Sequence, residues 1–182
     1  MEPPSGTARW TGDKLECWGC VQDPQATRDT LAGVLGIDKE NITVKPTWLG
    51  GAFGRKSKPD FVIEAALLAK EVGKPVKVTW TREDDVRHGF YHAVSAQRLQ
   101  AGLDESGKCT SYLHRSAFPT ISSTFANGVN TPSSGEMGLG ATDVPFAAAN
   151  LRVESGEAKA HVRTGWLRSV CNVFHAFAVQ SF

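Results

Sequence analysis

The chain alternates between two hydrophobic periods in its first half and keeps mainly the shorter one in its second. Leu15 to Val21 and Ile42-Thr43-Val44-Lys45 place apolar or β-branched side chains at alternate positions, the period of a half-buried strand, and the second of these extends to a strand over 42–48. Between them Asp23 caps a helix with Pro24 at its first position, running to about Leu35, and Gly36 stands just past its end. Ile63, Ala66, Leu67 and Lys70 fall at helical spacing in the run from Phe61 to Val72, which Asp60 can cap and Gly73 can end. With a further strand over 76–81, strand 42–48 and helix 60–72 read as a βαβ unit.

The second half predicts strands at 93–103 and 109–118 around the turn residues Asp104-Glu105-Ser106-Gly107-Lys108. Residues 119–145, rich in Ser, Thr, Asn, Gly and Pro, lack a period, and a loop of that length in a compact domain is usually functional or mobile. Strands near Asn150–Val153 and Ala158–Val162, a turn over Gly165–Val170 and a final helix complete the pattern. The fold class is α+β, or mixed α/β: a βαβ unit with a glycine-rich loop, then a β-rich half. It forms one domain, with 1–90 and 91–182 as candidate lobes.

The junction of strand 42–48 with helix 60–72 carries the chemistry. Gly50, Gly51 and Gly54 put three glycines in five residues, allowing close backbone approach, and amides near a helix start present positive potential. Arg55 and Lys56 add two cations, so the segment reads as a backbone cradle for an anion, such as a phosphate-bearing cofactor. It fits neither common phosphate fingerprint. Arg55 stands where the Walker pattern needs its second glycine, and the glycine order differs from the dinucleotide motif. On spacing alone, a plain strand-to-helix turn explains the residues equally well.

Composition narrows the classes. Twenty Lys and Arg against nineteen Asp and Glu leave a net charge of +1, so no long-range field favours nucleic acid or a membrane surface. No run approaches the roughly 18 apolar residues of a membrane span. Cys17 and Cys20 have the spacing of a redox or metal pair, but on a strand they point to opposite faces, and neither a second pair nor a nearby histidine completes a zinc site. Cys109 and Cys171 do not supply iron–sulfur spacing either. His88 and His92 have Gly89 where a zinc protease needs glutamate; His114, His161 and His175 stand alone and read as surface or satisfied core residues. Glu83-Asp84-Asp85, between Arg82 and Arg87, reads as a salt-bridged turn.

Several separated motifs in one order carry more than any of these alone. Gly50-Gly51-Ala52-Phe53-Gly54-Arg55-Lys56 resembles the first glycine-rich loop of the molybdenum hydroxylases, the xanthine dehydrogenase and aldehyde oxidase family. Gln22-Asp23-Pro24-Gln25 and Leu31-Ala32-Gly33-Val34-Leu35-Gly36 resemble the segment before that loop; Gly73-Lys74-Pro75-Val76-Lys77 and Thr81-Arg82-Glu83-Asp84-Asp85 resemble the segment after it. Arg87-His88-Gly89-Phe90-Tyr91 and Gly165-Trp166-Leu167-Arg168-Ser169-Val170 are similar to the large (β) subunit in the isoquinoline 1-oxidoreductase branch.

The resemblance runs from about Met1 to Phe182 and implies an internal piece of a cofactor-binding region. It implies a molybdenum centre on a pterin dinucleotide, cytosine in the bacterial relatives. The implied reaction oxidises an aromatic N-heterocycle or an aldehyde with oxygen from water, beside a small iron–sulfur subunit. Gly50, Gly51, Ala52, Phe53, Gly54 and Arg55 become the expected cofactor-binding positions. Arg168 and Trp166 lie in the turn expected beside the metal, where the family commonly has Arg-Gly-Phe-Gly and this chain has Arg168-Ser169-Val170. The general-base glutamate is expected beyond Phe182, which makes this stretch inactive alone. From the residues themselves, a self-contained module for a phosphorylated ligand and a purely structural or interaction domain remain as alternatives.

Overall fold

A strand that the hydrophobic pattern does not announce organises the first half of the chain. The computed structural model describes residues 1–182, which fall into two units, Met1–Gly89 and Phe90–Phe182. In the first unit, β1 (Ser5–Thr11), β2 (Lys14–Gly19), β3 (Ile42–Pro46) and β4 (Val76–Thr79) form one sheet in the order β3-β2-β1-β4. β1 pairs antiparallel with both β2 and β4, whereas β2 and β3 are parallel and joined by helix α1 (Pro24–Leu35). The expected βαβ unit is therefore split: β3 and β4 run the same way but at opposite edges, with β1 and β2 between them. The small residues of Ser5-Gly6-Thr7-Ala8 hide β1 from a hydrophobicity pattern, and the same smallness makes it central. A Cβ at Gly6 would sit 3.1 Å from Phe61 O and Val62 Cα of helix α2 (Asp60–Val72), so glycine lets the helix lie directly on the sheet.

The core follows from that approach. Phe61, Val62, Ala65, Ala66 and Ala69 of α2 are buried with Ala8, Leu15, Cys17, Leu31 and Ile42. α1 begins as its sequence requires: Asp23 Oδ1 accepts from Ala26 N at 2.9 Å, and Gly36 ends the helix in the left-handed region at φ 65°. For α2 the expected cap is wrong. Pro59 occupies the cap position and Asp60 is the first helical residue, its carboxylate turned to Arg55. The acidic run 83–85 lies not in a turn but in a short helix, α3 (Arg82–His88). Thr81 and Asp84 close a reciprocal capping box, and carboxylates suit the positive end of a helix. Cys17 and Cys20 are both buried free thiols, and burial pushes Cys17 up to about 12, so thiolate chemistry is disfavoured.

The second unit holds a three-stranded sheet, β5 (Ala96–Leu103), β6 (Cys109–Ala117) and β7 (Leu151–Gly156), in sequence order. β5 and β6 form the expected hairpin, with Asp104 accepting from the amides of Ser106 and Lys108 in its turn. Residues 158–162 form no strand. Their alternation finds no ladder to join, and an isolated bridge from Tyr91 to Thr164 follows instead. The aperiodic stretch 119–145 contains helix α4 (Ser134–Met137), tied down by Glu136, which accepts from Thr120 Oγ1 at 2.7 Å, Ile121 N at 2.8 Å and Ser133 N at 2.9 Å. Burial works against that carboxylate's charge, but the donors outweigh it and hold its pKa below the usual value.

Helix α5 (Asn172–Ser181) closes the unit through a histidine chain. His175 Nδ1 donates to Leu139 O at 2.8 Å, which leaves Nε2 to accept from Ser116 Oγ at 2.9 Å. Gln97 Nε2 donates to the same hydroxyl at 2.8 Å, and its Oε1 accepts from His114 Nε2 at 2.6 Å. Both rings are fully buried, and burial holds both below the ordinary histidine value of 6.5, with the charge of His175 adding to the effect at His114. A depressed histidine binds fewer protons folded than unfolded, so its stabilising contribution is complete above about pH 6.5 and declines as pH falls below it. Thermal midpoints are thus expected to fall between pH 7.5 and 5, roughly the range below the free histidine value, and to fall less in His114→Gln. Flat, superimposable profiles would contradict neutral burial.

Candidate functional site

The loop between β3 and α2 begins at Thr47 and reaches the solvent at Trp48, which is 99% exposed. It then turns inward. Ala52 is 7% exposed, Arg55 2% and Lys56 not at all. Left-handed backbone occurs at Gly51 (φ 89°), Phe53 (φ 47°) and Gly54 (φ 95°). A short 3₁₀ turn at Arg55–Ser57 then delivers the chain to α2.

The cations expected at the mouth of an anion site are committed elsewhere. Arg55 makes a bidentate pair with Asp60, Nη1 to Oδ1 at 2.9 Å and Nη2 to Oδ2 at 3.0 Å, and its guanidinium lies 5.3 Å from the Trp80 ring centroid. Lys56 Nζ meets Glu2 Oε2 at 2.7 Å. Two adjacent cations folded under a helix need carboxylates, because burying an unpaired charge costs several kcal/mol. Both side chains are engaged within the chain, which leaves the loop's backbone to be considered.

The amides divide into two sets. Gly50 N donates to Glu2 Oε2 at 2.6 Å, Gly54 N to Gln22 Oε1 at 2.9 Å and Arg55 N to Ala52 O at 2.9 Å. The amides of Gly51 and Ala52 have no acceptor within the chain. A buried donor left unmade is expensive, and a ligand oxygen would satisfy one at Ala52, a residue only 7% exposed. A Cβ at Gly51 would lie 2.8 Å from Phe53 Cε2, so the backbone there keeps a space that any larger residue fills. The loop fits a group that offers acceptor oxygens.

The second expected element, Gly165–Val170, lies in the other unit. Trp166 stacks on Phe125 with ring centroids 5.4 Å apart. Arg168 is exposed in a turn whose next two residues, Ser169 (φ 70°) and Val170 (φ 47°), are both left-handed. α5 starts at Asn172 with Cys171 as its N-cap, so Arg168 lies in the turn that leads into the helix. A β-branched residue at positive φ is a marked outlier, of the kind that collects at functional sites. No set of three or more His, Cys, Asp or Glu residues is placed to hold a metal ion, and no helix is long and apolar enough to cross a membrane.

A family model described as a molybdopterin cofactor-binding domain matches residues 1–181. The chain belongs to that family. Among curated relatives, the large (beta) chain of isoquinoline 1-oxidoreductase from Brevundimonas diminuta is 35% identical over 58% of this chain and 14% of its own length. A nicotinate dehydrogenase subunit from Pseudomonas putida is 27% identical over 99% of this chain and 16% of its own length. Among solved structures, quinoline 2-oxidoreductase from Pseudomonas putida 86 superimposes with a TM-score of 0.77 at 21% identity, over 94% of this chain and 22% of that one. Aldehyde oxidoreductase from Desulfovibrio gigas gives 0.81 at 16% identity, over 97% and 19%. At those identities the two structures establish a shared fold. The chain spans less than a quarter of each of these proteins.

Sequence reasoning missed two residues that hold this loop, Glu2 and Gln22. No spacing rule joins side chains 54 and 32 positions apart, and their only signal is the topology that places the chain's first residues and the start of α1 beside the loop. Gly50, an expected cofactor-binding position, also has a structural partner that the sequence did not reveal. A Cβ there would sit 2.7 Å from Glu2 Cβ, so this glycine accommodates Glu2, and its amide is already used. Gly50→Ala is expected to destabilise the first unit by about 1–3 kcal/mol, the usual cost of overpacking. Chemical denaturation of the variant beside wild type measures it, and an unchanged midpoint would mean that Glu2 moves aside freely.

Proposed function

We propose that this chain builds part of the cofactor cradle in the large subunit of a molybdenum hydroxylase, an enzyme that oxidises an aromatic N-heterocycle or an aldehyde with oxygen from water. The observation that carries the reading is the pair of unsatisfied amides at Gly51 and Ala52, in a chain whose family is defined by molybdopterin binding. Relatives named for isoquinoline, nicotinate and aldehyde oxidation support the substrate classes.

In this reading Gly51 and Ala52 donate to the bound group, and Gly54 is held back from it by Gln22. Phe53, half exposed, offers an apolar edge to the same place. When bound, the molybdenum–pterin supplies the two-electron redox chemistry that no side chain here can supply. Arg168 presents a planar fork of donors, suited to a polarised oxygen. In this reading the dinucleotide is cytosine-bearing and the electron-accepting partner is a small iron–sulfur subunit; relatives named as single subunits of larger enzymes support a partner subunit of some kind.

Metal and pterin analysis of the native protein that contains this chain is expected to give stoichiometric molybdenum, and Gly51→Val to lower that content far more than it lowers the melting temperature. Equal losses would favour a plain structural turn. Arg168→Met is expected to cut turnover per molybdenum by about 10²–10³, as removal of one donor at a reacting centre does. Lysine should restore it only in part, and equal rates for all three would remove Arg168 from the site.

A further inference from the structure

We infer that Glu2 is a positioning residue that sets the glycine loop for its ligand, an inference that rests on the proposed cofactor site. Glu2 meets Gly50 twice, its own amide donating to Gly50 O at 2.8 Å while its carboxylate accepts from Gly50 N at 2.6 Å. The same oxygen, Oε2, takes the ammonium of Lys56 at 2.7 Å. One residue thus grips the loop at both ends of the stretch 50–56. Lys56 is fully buried, and this carboxylate is its ion-pair partner, so the grip cannot open without stranding a charge.

The consequence falls on the residues between. With Gly50 N held by Glu2 and Gly54 N held by Gln22, the first amides open to a ligand are those of Gly51 and Ala52. Without Glu2, Gly50 N joins them and the peptide plane between Gly50 and Gly51 is free to rotate, since glycine at φ 89° has alternative wells of similar energy. Glu2 touches no ligand in this account. It acts through the orientation of the loop backbone, and the Lys56 pair and the Gly50 amide hold its carboxyl ionised by keeping its pKa below the usual range.

Glu2→Ala alone leaves Lys56 buried without a partner and can fail to fold, so the comparison is made on a Lys56→Met background, which keeps the Glu2–Gly50 contacts and removes the buried charge. In the native protein, Glu2→Ala on that background is expected to lower molybdenum and pterin content at least fivefold relative to Lys56→Met, with melting temperatures close together. Amide hydrogen exchange at Gly50 should quicken tenfold or more in the same pair. Equal cofactor content with equal exchange would overturn the inference, as would quickened exchange with unchanged content, because the grip would then have no bearing on the ligand. If wild type itself holds no molybdenum or pterin, the cofactor reading falls instead; Gly50 exchange still decides whether Glu2 holds the loop, and unchanged exchange refutes it.

Discussion

The burial of two neighbouring cations, Arg55 and Lys56, is the constraint on which the rest of the first unit's functional geometry depends. Neither can sit under α2 without a carboxylate, and the fold supplies one from each side: Asp60 from the helix's own first turn and Glu2 from the segment ahead of β1. The loop must bend to reach both partners, and the bend explains left-handed backbone at Gly51, Phe53 and Gly54. Buried ion pairs contribute little net stability after desolvation, but breaking one is costly, so they suit a loop whose shape matters more than its strength. What emerges is a loop whose Arg55 and Lys56 charges are turned inward, the geometry from which the proposed cradle of peptide groups is argued.

Much of the first unit was legible from residue patterns. α1 with its Asp23 cap and Gly36 end, the position of α2, and β3 leading into a glycine loop all follow from local rules. The misses in sheet topology and loop contacts share one physical origin. β1 is built from Ser5, Gly6, Thr7 and Ala8, which pack by being small, and hydrophobic periodicity detects strands through large side chains. Missing β1 hid the separation of β3 from β4 and the placement of Glu2 beside Gly50. Arg55 and Lys56 then read as free cations, because a sequence shows charges but not the long-range contacts that neutralise them.

The second unit was legible as a hairpin and a closing helix, and opaque in between. Residues 119–145 have no period because polar side chains order them: the Glu136 carboxylate accepts four hydrogen bonds there. His114 and His175 look unrelated in sequence. The pairing of β5 with β6 and the docking of α5 bring them into one hydrogen-bonded chain with Gln97 and Ser116. The turn over Gly165–Val170 was legible in the residue pattern and the expected role of Arg168 came from the resemblance, whereas the consecutive left-handed residues appear only in the backbone geometry.

The central claim is that backbone amides, not cations, meet the ligand at this loop. A crystal structure of the native protein with its cofactor bound tests it most directly. The account predicts ligand oxygens within hydrogen-bond reach, about 2.7–3.2 Å, of Gly51 N and Ala52 N, with the Arg55–Asp60 and Lys56–Glu2 pairs intact. A bound cofactor contacted by the Arg55 or Lys56 side chain, with either pair broken and the two amides left unbonded, would contradict it.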